Sequence, residues 1–251
     1  MQPKNVRYQL TLLFIALLTA PTLFAGDAAK VLDNVAKAMG GDDLEDVKSV
    51  VMTGNVKMPQ QMNGKVEFMM KEGGMSKLKM NLTANGMNMV AEQGCNGDQC
   101  YDSNPMMGAR LLEGQEKEQF QLSNDLRAAK EWRKYFKKVD YLGKETLNGK
   151  DVHKIHITTN AGIEMTQFVD AASNLVLKSV MTTQGPMGQM KVDSFYEDYK
   201  TIHKSIQFPM VTRINMMGQE VLMTFESFEV NQEIPDSVFA FPPSLQEAAG
   251  K

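Results

Sequence analysis

Methionine, cysteine and histidine are the residues of this chain whose types and spacing bear on chemistry. Of 251 residues 21 are Met, against one Trp and six Tyr. The thioether side chain is unbranched and polarizable, so it fills irregular gaps and lines surfaces that accept many shapes. It is also a soft ligand of the kind that Cu(I) favours. Met87-Asn88-Met89 and Met187-Gly188-Gln189-Met190 have spacings that suit such an ion. On a strand, Met87 and Met89 would share a face. Three readings of the methionine excess stand side by side: Met used in a core where other chains use Leu, an adaptable wall for an apolar ligand, and a soft-metal site.

Cys95 and Cys100 enclose Asn96-Gly97-Asp98-Gln99. Asn-Gly is a strong tight-turn signal, and strands on either side of it bring the pair within bridging distance. A hairpin disulfide is expected, contributing about 2 kcal/mol because its loop is short. A redox dithiol has two residues between its cysteines, and a zinc site needs further Cys or His nearby. His153 and His156 are three apart in a strand-like stretch, so they face opposite ways and do not share a metal. The chain has no Gly-x-Ser-x-Gly motif, no P-loop and no dinucleotide fingerprint. No convergent catalytic set is visible, and neither an enzyme nor a cofactor is expected.

The N-terminus reads as an export signal. Lys4 and Arg7 precede an apolar run from Leu10 to Ala20, then Pro21 and the small residues Ala25, Gly26 and Ala28. That order of basic, apolar and small is a secretory signal peptide, spanning 1–25 with cleavage after Ala25, or after Ala28 as the second choice. No Cys lies near the site, so lipid attachment is not expected. No second apolar stretch is long enough to span a bilayer. Residues 26–251 then form a single domain. Its net charge, already -3 for the whole chain, gives no reason to expect nucleic acid as a partner.

Stepping from the motifs to the elements that hold them, the mature chain opens with an amphipathic helix. Val31, Leu32, Val35, Ala36 and Met39 recur at helical spacing, and Gly40-Gly41 ends it. Strands follow at Ser49–Met58, Met62–Lys71, Met75–Ala84 and Met87–Gln93, and seven more lie between Tyr141 and Asn231. Turn chemistries such as Asn85-Gly86, Asn148-Gly149 and Met217-Gly218 separate them. About eleven strands joined by tight turns must run antiparallel, and a sheet of that size must curl, split or close. Between the two sets a helix is expected from Glu113 to Lys138, with a break near Ser123-Asn124. Its apolar face, including Phe120, Leu126, Trp132, Tyr135 and Phe136, is suited to cover a concave sheet. Phe225 and Phe228, three apart, are expected on opposite faces of one strand.

Several short segments carry a family resemblance. Glu197-Asp198-Tyr199-Lys200, Ile206-Gln207-Phe208-Pro209, Glu229-Val230-Asn231 and Pro235-Asp236-Ser237-Val238-Phe239 resemble the C-terminal half of periplasmic lipoprotein-carrier-like proteins. Phe168-Val169-Asp170 through Asn174-Leu175-Val176 is similar to that superfamily's strand-turn-strand, and the likeness spreads over roughly residues 27–243. The resemblance implies a mainly β fold, an open incomplete antiparallel β-barrel covered by α-helices. It implies a periplasmic, non-enzymatic carrier or binder of lipid or acylated lipoprotein cargo, with membrane-anchored donor or acceptor proteins as further partners. The candidate cavity residues are Met52, Met69, Leu78, Met80, Met89, Trp132, Phe136, Phe168 and Met223. The alternatives are a sensor or scaffold of the same fold acting through a protein partner, and a Met-rich copper protein.

Overall fold

The computed structural model describes residues 25–245 except 106, 186 and 187, and the side chains within 27–245 except 106 and 183–188. The signal-peptide segment 1–24 therefore lies outside the described residues. Helix α1 (Ala25–Ala38) leads through a short 3-10 turn, Gly41–Asp46, into the first strand. Strands β1 (Ser49–Lys57), β2 (Asn63–Lys71), β3 (Met75–Ala84), β4 (Met87–Asn96), β5 (Cys100–Asn104) and β6 (Gly108–Leu112) form one meander. Two short helices follow, α2 (Gly114–Asn124) and α3 (Trp132–Tyr135). The second meander is β7 (Phe136–Leu147), β8 (Lys150–Thr159), β9 (Glu164–Asp170), β10 (Val176–Gly185), β11 (Gly188–His203), β12 (Ile206–Met216) and β13 (Gln219–Val230).

All thirteen strands belong to one antiparallel sheet, ordered β6-β5-β4-β3-β2-β1-β13-β12-β11-β10-β9-β8-β7. The two meanders join where β1 pairs with β13, Val50 opposite Val230 and Met52 opposite Phe228. The sheet stays open, with β6 and β7 as its edges. Asn-Gly turns drive the tight reversals: Asn85-Gly86 and Asn148-Gly149 take positive φ at both residues, which suits the right-handed twist of a hairpin.

Three sequence expectations are corrected. Thirteen strands replace about eleven, because the polar stretches of β5 and β6 join the ladder beside the cysteine hairpin. The long helix over 113–138 is not formed. α2 ends where Asn124 donates to the Phe120 carbonyl and Asp125 turns extended, its carboxylate accepting the Arg127 N–H (2.9 Å) and the Tyr135 hydroxyl. Phe136, Lys137 and Lys138 then lie in β7, where Phe136 and Lys138 pair with β8 and the register shifts at Lys137. Phe225 and Phe228 share a face. Glu226 is an extra residue in β13, so Phe228 opposes Met52 and Phe225 opposes Gly54, and the two rings lie 6.4 Å apart. A bulge of this kind resets the alternation.

Glycines permit the curl. A Cβ added at Gly54 would meet the Thr224 carbonyl oxygen at 2.0 Å, and one at Gly64 would meet that of Asn81 at 1.9 Å. Only hydrogen fits at these bends. The segment after β13 crosses the outer face. Ser49 donates to the Gln232 carbonyl (2.6 Å), Lys71 to that of Ile234 (2.9 Å), and Phe241 packs edge-on against Tyr101 at 5.4 Å.

Candidate functional site

Strand pairing sorts the side chains into rows, and the rows that carry both large hydrophobic clusters define an inner face. One row runs Leu78–Phe68–Met52–Phe228, and the next Met80–Val66–Gly54–Phe225. A third runs Met89–Leu82–Gly64–Val56–Met223–Thr212–Tyr196. A fourth runs Val221–Ile214–Ser194–Ser179–Gln167–Ile155–Tyr141. A fifth runs Met216–Val192–Met181–Met165–Ile157–Val139. None of these residues is Asp, Glu, Lys or Arg; charge enters this face at its margins, where the first row continues from Leu78 through Gln93 to Asp102 and Arg110, Lys200 lies opposite Phe208, and Lys144 lies opposite His153. The outer row Lys57–Leu222–Arg213–Phe195–Lys178–Phe168–Lys154 has the opposite character.

The candidate cavity residues divide accordingly. Met52 is fully buried at the centre of the first cluster, and Leu78, Met80, Met89 and Met223 are partly open around it. Phe208, Phe225 and Phe228 form a T-shaped trio beside them, with centroids 5.4–5.7 Å apart for the pairs with Phe208. Trp132 and Phe136 belong to a second cluster, where Ala28, Val31, Leu32 and Val35 of α1 cover Ile155, Ile157, Met165 and Val169. Two candidates stand apart on the outer face. Met69 lies in the row Val51–Met69–Lys77–Gly94–Tyr101. Phe168 sits beneath Lys154 and Lys178, whose ammonium groups lie 5.3 and 5.7 Å from its ring. The alternation of β2 and β9 puts both residues out of step with Phe68 and Gln167, a step that needs the pairing register to see.

Segment 113–135 links the two edge strands and so spans the opening of the sheet. Its apolar residues touch three different clusters: Phe120 packs against the disulfide, Leu122 on the α1 cluster and Leu126 on the Met52 cluster. α2 itself has no buried residue. The strap is latched to α1 at Asp33, which accepts from the Trp132 indole N–H (3.0 Å) and two guanidinium N–H groups of Arg133 (2.7 and 3.0 Å). Arg133 also stacks 4.1 Å over the Trp132 ring. Its hydrogen bond holds the Asp33 carboxyl below the usual range, against partial desolvation. Lys130 adds ion pairs to Asp42 (2.9 Å) and Glu45.

The cysteine hairpin is a disulfide, Cys95 lying directly opposite Cys100. His153 and His156 face opposite ways, His153 to Tyr141 (2.9 Å) and His156 to Glu164 (2.6 Å). Of the thioether pairs, Met87 is exposed and Met89 packs on the inner cluster, while Met187 lies outside the described residues. Among the described residues no group of His, Cys, Asp and Glu is placed to hold a metal, and no helix is long and apolar enough to cross a membrane. The sequence reasoning missed the hydroxyl-bearing residues of the inner face, Ser179, Ser194, Thr212 and Tyr196. Their only signal was a polar residue at neighbouring inward steps, Ser179 on β10 and Ser194 and Tyr196 on β11.

The open antiparallel sheet is a fold shared with solved structures. The chain superposes with a TM-score of 0.56 on a domain assigned to outer-membrane lipoprotein sorting from Vibrio parahaemolyticus, at 11% identity, covering 86% of this chain and 97% of that one. A LolA superfamily protein from Nitrosomonas europaea gives 0.54 at 13% identity, covering 85% and 97%. The fold implied by the sequence resemblance is thus the observed one. No family model and no curated protein matches the sequence.

Proposed function

We propose that the chain is a non-enzymatic carrier or binder of acyl chains, free in lipid or attached to protein, working in the periplasm. The observation that carries this is the inner face: five paired rows whose central part has no charged side chain, on a sheet whose outer rows are rich in Lys, Arg, Asp and Glu. An acyl chain laid there gains about 0.8 kcal/mol per CH₂ removed from water. Flexible thioethers at Met80, Met89 and Met223 adapt to chains of different length. The strap and α1 close over the ligand, and release requires that they part. The likeness to lipoprotein-sorting folds supports the same reading.

Export follows from the basic and apolar start of the chain. Cleavage after Ala25 is favoured over cleavage after Ala28, because Ala28 is 0% exposed in the α1 cluster and its loss would open the core. Native mass spectrometry of protein taken directly from the periplasm tests both points. The expected spectrum shows a chain starting at Gly26 with added mass in the lipid range. Ligand-free protein that also fails to take up a neutral fluorescent acyl probe would sink the carrier reading.

A further inference from the structure

The centre of the inner face is uncharged, with Asp102 and Arg110 at one margin and Asp198, Lys200 and Lys144 at others, but it is not uniformly apolar. Between the Met52 cluster and the α1 cluster runs a band of neutral polar groups. Thr212 and Tyr196 end the third row, and Ser194, Ser179 and Gln167 occupy the middle of the fourth. Ser179 is buried, and the other four are half-buried. Met223 and Ile214 adjoin the band on one side, Ile155 and Met165 on the other.

Hydroxyls and an amide donate to and accept from a carbonyl, an ether or a hydroxyl. They do not neutralise a charge. The titratable groups near the band are Tyr196, Tyr141 and His153. Burial pushes both phenols up and the imidazole down, so all three are uncharged at neutral pH. Lys144 is exposed beside His153 on the edge strand, and Asp198 and Lys200 are exposed and paired with each other at 3.3 Å. A free carboxylate drawn onto this band would be desolvated without a cation among the band's own residues, which costs several kcal/mol. An ester carries the same chain with a neutral linkage whose carbonyl accepts a hydrogen bond.

We infer that Ser179, Ser194, Tyr196, Thr212 and Gln167 form the subsite for the neutral linkage of an ester-bound acyl chain, and that this band turns away free fatty-acid anions. The inference rests on the carrier reading and names the ligand class within it.

The test uses the full mature chain and Nile red, an uncharged dye for apolar sites. 1-Monolauroylglycerol and laurate compete for the dye at about pH 8 and about pH 4, either side of an ordinary carboxyl pKa. At the higher pH the ester displaces the dye at a concentration at least about tenfold lower than laurate, since an unpaired charge costs more than 1.4 kcal/mol. At the lower pH the gap closes, because laurate is then neutral. The double exchange Ser194→Ala with Thr212→Val narrows the ester's advantage over laurate at the higher pH several-fold. Equal displacement by laurate and ester at the higher pH overturns the inference and leaves the carrier reading standing. So does a double variant that keeps the full ester preference. Failure of Nile red to bind at all overturns the carrier reading, and the inference with it.

Discussion

Asp33 does more than its place on a helix surface suggests. One carboxylate accepts the indole of Trp132 and both forks of Arg133, so it ties α1 to the strap. Its pKa is depressed below the ordinary 3.8, chiefly by the Arg133 hydrogen bond. A group of this kind stabilises fully above its unfolded pKa, and that contribution is lost as pH falls through the depressed value. Trp132 is the single tryptophan of the chain, so its emission reports on the latch alone. We expect a red shift on acidification below the ordinary Asp range, and Asp33→Asn to show that shifted emission already at neutral pH. An acid titration that leaves the wild-type spectrum unmoved would remove the latch. The sequence marked Trp132 as a lid or core residue. It could not name Asp33, because the contact bridges about one hundred positions and no local pattern records it.

At the scale of elements, local chemistry was legible and its consequences at a distance were not. Asn-Gly turns, the cysteine hairpin and the helix before Gly40 were visible because each is decided within a few residues. The helix over 113–138 failed because its apolar spacing serves three clusters rather than one face, and because the Asn124–Asp125 side chains offer the backbone another set of hydrogen bonds. The bulge at Glu226 likewise reversed the facing of Phe228. Only pairing to β1 shows it. At Gly54 and Gly64 the neighbouring strand's backbone lies where a Cβ would stand. We expect Gly54→Ala to lower the free energy of unfolding by about 1–3 kcal/mol, read from urea denaturation, since the new methyl meets backbone that cannot yield. A variant of unchanged midpoint would show that the sheet relaxes there freely.

Over the whole molecule, methionines divide by position in a way that composition hides. The turns after β1, β3, β5 and β12 all lie at one end of the sheet, and each carries or adjoins Met. Met87, Met107, Met216 and Met217 are 63%, 68%, 40% and 59% exposed there, whereas Met52 and Met70 are 0% and 5% exposed. Peroxide converts accessible thioethers to sulfoxides first. Peptide mapping after brief treatment should find the exposed group oxidised and Met52 and Met70 intact. Early oxidation of Met52 would mean that the Met52 cluster opens on that timescale. The clearing of charge from the centre of the inner face was equally hidden. Every strand mixes both kinds of residue, and only register separates them.

The seam between β1 and β13 has a consequence for how the chain is made. Ser49 and Gln232 meet there although 183 positions separate them. A nascent chain emerging in order can zip each meander from its own hairpins, yet the middle of the sheet stays unzipped until the thirteenth strand arrives. Contacts of such long range make folding slow. Such a chain completes its fold only after synthesis has delivered both halves.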